Sequence, residues 1–175
     1  MYYVILFKLY KYNIFILYTM YLNDIWSFYF HDPYDTDWSI ESFSFISNIS
    51  NVDDFISIFE CFKDILSKGM FFMMREHISP IWEDESNKEG GCFSYKLYSD
   101  NFLEKFFEIL ALMIGENLGI TNNISTNING ISICPKKNYY IVRIWIKNSE
   151  YAIKENYNIN IPKYTSILYK KHNQI

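Results

Sequence analysis

Pro80-Ile81-Trp82-Glu83-Asp84-Glu85-Ser86-Asn87-Lys88-Glu89-Gly90-Gly91 reads as a long loop. Pro80 opens it, and the Gly90-Gly91 pair breaks it before regular structure resumes. On its upstream side Met70 to Arg75 looks like a strand, and downstream Cys92 to Tyr98 resumes as another. The loop carries a large indole beside three consecutive carboxylates, Glu83, Asp84 and Glu85. A hydrolase would use such acids as a general acid and base. Adjacent residues rarely converge on one substrate, and no activated nucleophile or metal set accompanies them. The stretch therefore points to binding, and no enzymatic activity is expected.

Working outward, Trp26 to His31 reads as a strand that ends at the turn signal Asp32-Pro33, with a polar loop following to Trp38. Phe43 to Asn48 alternates apolar and polar residues as a second strand does. Asn51 is placed to cap a helix running to about Ser67, with Asp53 and Asp54 in its first turn. Gly69 ends that helix. Beyond Tyr98, Ser99 or Asp100 is positioned to cap a second helix reaching Gly115. The Asn-rich run from Asn122 to Asn129 reads as loop. Ile131 to Lys137 and Tyr139 to Lys147 read as two strands joined tightly, and Ser166 to His172 as a final strand. Strands outnumber helices and are mostly hairpin-spaced. The expected class is α+β, a curved antiparallel sheet with helices on one face.

The chain has 175 residues, half of them hydrophobic and a fifth aromatic. That length and composition suit one globular domain with a substantial core. The formal net charge of −4 disfavours general binding to long nucleic acids, whose affinity comes mainly from phosphate neutralisation. A small local nucleotide site remains compatible with it. Cys61, Cys92 and Cys134 are dispersed, and no histidine stands near them at zinc-site spacing. Free thiols in a reducing compartment, no metal and no cofactor are expected. Residues 1–21 form an apolar extension, separate from a domain over 22–175. Lys8 and Lys11 interrupt the apolar run, and no small-residue cleavage site follows it. An extra strand, a start codon placed too early and a membrane anchor are the competing readings of this extension; the lysines count against the anchor.

Residues 80–91 resemble, almost position for position, the cap-binding loop of the translation initiation factor 4E family. That family's pattern is a proline, an apolar residue, Trp-Glu-Asp, then Asn-Lys and Gly-Gly. Trp26-Ser27-Phe28-Tyr29-Phe30 followed by Trp38, Asn51-Val52-Asp53-Asp54-Phe55, Phe106 to Glu116, Gly130 and Ile144-Trp145 are similar to family segments in the same order. The resemblance covers about Leu22 to Lys147. It implies helices on the convex face of the sheet and cap-binding loops on the concave side. It implies binding of the 7-methylguanosine 5′ cap of mRNA for translation initiation, in the cytoplasm, by a monomer.

The chemistry follows from the residues so assigned. Guanine methylated at N7 carries a delocalised positive charge that an indole face attracts, and two indoles sandwich it. The resemblance makes Trp38 and Trp82 the two slabs, each worth ~1–3 kcal/mol. Glu83 would accept both hydrogens of the guanine Watson–Crick edge, a pairing adenine does not offer. Trp145 is carried over as the neighbour of the N7-methyl group, whereas Trp26 reads as core. Lys136 and Lys137 match the basic hairpin that holds the triphosphate. Ile141 falls on a family lysine, which makes Arg143, on the same strand face, the substitute. Lys170 and Lys171 are further candidates, and Cys92 replaces a basic residue that often follows the Gly-Gly.

The resemblance also implies a helical groove for the scaffold initiation factor 4G or a 4E-binding protein, formed by Val52, Ile56, Phe107 and Glu108. Ile56 stands where the family has a tryptophan. The alternative function that this substitution suggests is a repressor-like homologue that holds the cap without recruiting the scaffold.

Overall fold

A computed structural model describes residues 19–98, 101–159 and 165–172. The expectations for residues 1–18 and for Ser99 and Asp100 as helix caps lie outside the described residues. Among the described residues, seven strands form one curved antiparallel sheet in the order β2-β1-β3-β5-β6-β4-β7. They are β1 Tyr21–His31, β2 Ser44–Asn51, β3 Met70–Arg75, β4 Gly91–Tyr98, β5 Ile128–Pro135, β6 Tyr139–Ile146 and β7 Leu168–Lys171. Among the described residues the α-helices are α1 Val52–Phe62, α2 Phe102–Ile114 and the short α3 Asn122–Ser125. The α+β class and the antiparallel sheet agree with the sequence reading.

Asn51 starts α1 as its sequence suggests. Its side-chain oxygen accepts from the Asp54 N–H at 2.8 Å, while its own amide donates to the Asp54 carboxylate at 2.7 Å. The two side chains thus satisfy otherwise orphaned groups at the helix start. Helix α1 stops at Phe62, short of Ser67, and residues 63–68 continue only as turns. The region read as loop from Asn122 contains α3, capped by the Thr121 side chain, and β5 already begins at Ile128. Local hydrogen-bonding side chains there close a helical turn that hydrophobic periodicity does not reveal.

Strand alternation divides the core in two. Phe93, Tyr95, Leu97, Ile131, Ile133, Val142, Ile144 and Ile146 point to the face where α1 and α2 pack, around Phe55, Phe106 and Leu110. On the loop face, the opposite residues Cys92, Cys134 and Trp145 join Met70, Phe72 and Met74 of β3, Phe43 just before β2 and Ile78 after β3 in a smaller cluster. Register aligns this face in rows. Met74, Gly130, Trp145, Cys92 and Lys170 lie side by side across five strands, and the next row holds Phe72, Ser132, Arg143, Ser94 and Leu168. No helix among the described residues is long and apolar enough to cross a membrane.

Candidate functional site

Two loops rise over the small cluster. The first connects β1 to β2 and carries Trp38. Its aspartates fold it locally: Asp32 accepts from the Tyr34 N–H, Asp35 from the Asp37 N–H, and Asp37 from both the N–H and the hydroxyl of Ser39. The Ser39 hydrogen bonds hold the Asp37 carboxyl below its ordinary range. Trp38 is 51% exposed, yet one face is fixed. The buried His31 ring stacks against it at 4.3 Å with 10° between planes. His31 Nε2 lies 2.8 Å from the Asp37 carbonyl. A carbonyl only accepts, so Nε2 carries the proton and the ring is oriented. Sequence reading did not single out His31. Its one signal was a polar ring closing an otherwise apolar strand.

The second loop joins β3 to β4 and divides the labour of its motif. Asp84 accepts from the backbone N–H groups of Ser79 at 2.9 Å and Ser86 at 2.8 Å. Buried Asn87 donates to the carbonyls of Ser79 and Ile81, and Asn129 on β5 donates to Ser86 and to the Asn87 side chain. Gly90 and Gly91 close the loop where backbones touch. A Cβ at Gly90 would fall 1.6 Å from the Ile146 carbonyl oxygen, and one at Gly91 would fall 2.3 Å from that of Lys170. With the backbone pinned, Trp82 stands 42% exposed and Glu83 projects into solvent without a protein partner among the described residues. An unpaired carboxylate beside an exposed indole has its full acceptor capacity available for a ligand.

Beneath the loops, Trp145 is 7% exposed and donates its indole N–H to Ser132 at 3.0 Å. It belongs to the floor, packed between the Phe72 and His172 rings. Trp26 is fully buried on the helix side, under the Arg75 guanidinium at 4.6 Å. Arg143 is half-buried on the loop face, between Ser132 and Ser94. Lys136 and Lys137 are exposed at the β5–β6 turn, where the Lys136 N–H donates to the Tyr139 carbonyl. Ile141 lies on the loop face, opposite Cys134 and Lys96. Lys170 and Lys171 separate. Lys170 is opposite Cys92 on the loop face, but Lys171 alternates to the helix side, so the two do not act together above the site. Cys92 supplies no charge in place of a basic residue: a thiol has no cationic form, and burial pushes its pKa up to about 12, which keeps it neutral. It sits 3.9 Å from His172, whose own pKa burial lowers.

On the opposite face, Ile56 is 40% exposed, and Val52 and Phe107 are half-buried. Phe107 stacks on Phe55 at 5.3 Å and meets Phe59 edge-on at 4.8 Å. Glu108 pairs with Lys105 at 2.8 Å.

The sequence pattern of the family described as eukaryotic initiation factor 4E matches residues 21–175. The chain belongs to the initiation factor 4E family. Among its relatives, eukaryotic translation initiation factor 4E of Eremothecium gossypii is 24% identical over 139 residues, 75% of this chain. That match spans 64% of the relative's length, somewhat under two thirds. The crystal structure of Ascaris suum eIF4E-3 with an m2,2,7G cap superposes with a TM-score of 0.74 at 19% identity, covering 89% of this chain and 92% of that one. A schistosome eIF4E structure with m7GpppA and 4E-BP gives 0.74 at 22% identity, covering 89% and 90%. At these identities the solved 4E structures establish the shared fold.

Proposed function

We propose that this 4E-family chain binds the 7-methylguanosine cap of mRNA for translation initiation, in the cytoplasm. The observation that carries the reading is the division of labour in the 80–91 loop. Asp84 and Asn87 spend their hydrogen bonds on the backbone, whereas Trp82 and Glu83 are left facing outward. Trp38, backed by His31, supplies a second exposed indole. In this reading Trp38 and Trp82 stack on the cationic base, and Glu83 accepts from guanine N1 and N2. Trp145 lines the floor beside the methyl group. Arg143, Lys136 and Lys137 take the triphosphate. Related 4E structures solved with an m2,2,7G cap and with m7GpppA support cap binding as the function.

The second surface of this proposal is the groove of Val52, Ile56, Phe107 and Glu108, which receives an amphipathic helix of the scaffold factor 4G or of a 4E-binding protein. The 4E-binding protein in the schistosome structure supports that partner class. Titration followed by tryptophan fluorescence tests the cap site. 7-Methyl-GTP should bind much more tightly than GTP, because the unmethylated ring lacks the positive charge. Equal affinity for the two overturns the reading.

A further inference from the structure

The loop face does not end at the nucleotide slot. The alternation that sets Trp145 opposite Cys92 and Arg143 opposite Ser94 continues outward, placing Ile141 opposite Lys96 and Tyr139 opposite Tyr98. The Lys96 ammonium lies 4.5 Å from the centre of the Tyr139 ring. The Tyr98 and Tyr139 rings are 6.4 Å apart, inclined at 56°. Tyr98 is 46% exposed, Tyr139 is half-buried, and Lys96 is exposed beside them. The exposed Lys136 and Lys137 turn borders the same sheet end, since the Lys136 N–H is bonded to the Tyr139 carbonyl. Large aromatic surface left toward solvent on a sheet face, with cations around it, fits a base-binding platform: rings take the bases and ammonium groups take the phosphates.

We propose that Tyr98, Tyr139 and Lys96 hold the first nucleotides of the RNA chain that follows the cap. The inference rests on the cap-binding reading above. From Trp145 to Tyr139 is six positions along one strand, ~20 Å at strand rise. That is too far for the methylated base itself and lies along the route its phosphates take, past Arg143 toward the Lys136 turn. A strand anchored at the slot is thereby led onto the tyrosines. Charge confines the route: the chain carries a net −4, so phosphates are held where local cations gather. Stacking is indifferent to which base arrives, because every base has a π face. The platform therefore adds affinity for capped RNA without selecting its sequence.

The test compares 7-methyl-GTP with a capped five-nucleotide RNA by fluorescence titration. In the native protein the capped RNA should bind about fivefold more tightly or better, the low end for one base stacked on an aromatic ring. Tyr98→Ala combined with Tyr139→Ala should erase that surplus and leave 7-methyl-GTP affinity unchanged. Tyr139→Phe, which keeps the ring, should retain it. Lys96→Ala should shrink the surplus and its salt dependence. Equal binding of the two ligands by the native protein, or a surplus surviving the double change, overturns the platform. Failure to prefer 7-methyl-GTP over GTP instead overturns the cap reading itself. If the double variant loses 7-methyl-GTP as well, photocrosslinking on the native protein decides, with 4-thiouridine at the first position after the cap. Crosslinks to Tyr98, Tyr139 or Lys96 support the platform, and crosslinks confined elsewhere refute it.

Discussion

Glu83 and Asp84 are neighbours of one chemical type with opposite environments. Asp84 holds two backbone N–H groups of its own loop, whereas Glu83 has no partner among the described residues. Substitution should separate them. Glu83→Ala should leave the melting temperature unchanged and weaken 7-methyl-GTP by ~2–5 kcal/mol, the usual cost of truncating one partner of a buried charged pair. Asp84→Ala should lower stability by ~1.5–3 kcal/mol through lost charge-assisted hydrogen bonds, and should weaken the ligand only because the loop loosens. Thermal melts and titrations on both variants read the difference. A Glu83→Ala protein that binds normally would mean the guanine edge is read elsewhere. The sequence motif names both residues but not this split. Asp84 is recognisable as a scaffold only once Ser79 and Ser86 fold back onto it.

At the level of elements, β6 and α1 each carry one departure from the family pattern. On β6, Ile141 stands where the resemblance puts a lysine, and Arg143 is the next residue inward on that face. A guanidinium reaches far and forks onto two phosphate oxygens. Arg143→Ala should therefore weaken 7-methyl-GTP while leaving 7-methylguanosine, which lacks phosphates, unaffected. The ratio of the two affinities is the measurement, and an unmoved ratio leaves the phosphates to the lysines. On α1, Ile56 is exposed where the resemblance puts a tryptophan, a residue type enriched among interface hot spots. Calorimetry with a scaffold-derived helical peptide should show weak binding that Ile56→Trp improves. Tight binding by the native chain, unchanged by that substitution, would contradict the proposed groove. Phe107 gives such a peptide only part of its surface, since Phe55 and Phe59 cover the rest.

Across the whole molecule, Arg75 joins parts far apart in the chain. Its guanidinium pairs with Asp24 of β1 at 2.5 Å and Glu116 beyond α2 at 2.9 Å. It also donates to the carbonyls of Ile128 at 2.7 Å and Ser125 at 3.0 Å, and covers Trp26. Glu116 is held with φ at 52°, a left-handed conformation that a glutamate adopts here while its carboxylate meets Arg75. Removing the cation strands a carboxylate whose side chain is only 10% exposed. Arg75→Leu should cost ~3–5 kcal/mol, as breaking a buried pair does. Arg75→Lys should recover only part of it, because a lysine lacks the planar fork. Denaturant unfolding checks both, and a stable Arg75→Leu protein would show the network to be dispensable.

The sequence by itself determined the class of fold, the order of most elements and the composition of the loop. These are written in periodicity, capping residues and turn signals, all local in the chain: Asn51 caps α1, Gly90-Gly91 closes the loop, and alternation along β6 puts Arg143 and Trp145 on one face. Helix α1 ending at Phe62 and the turn of α3 escaped it, because terminal hydrogen bonds choose between helix and turn where apolar spacing does not. The tertiary structure alone decided which faces meet. His31 lies behind Trp38 because the β1–β2 loop folds back. Asn129 braces Asn87 because β5 passes under the 80–91 loop. Lys96 meets Tyr139 because β4 and β6 pair in one register, and the same alternation sends Lys170 and Lys171 to opposite sides. Register between distant strands is fixed by the shared burial of both cores at once, and no local pattern carries that information.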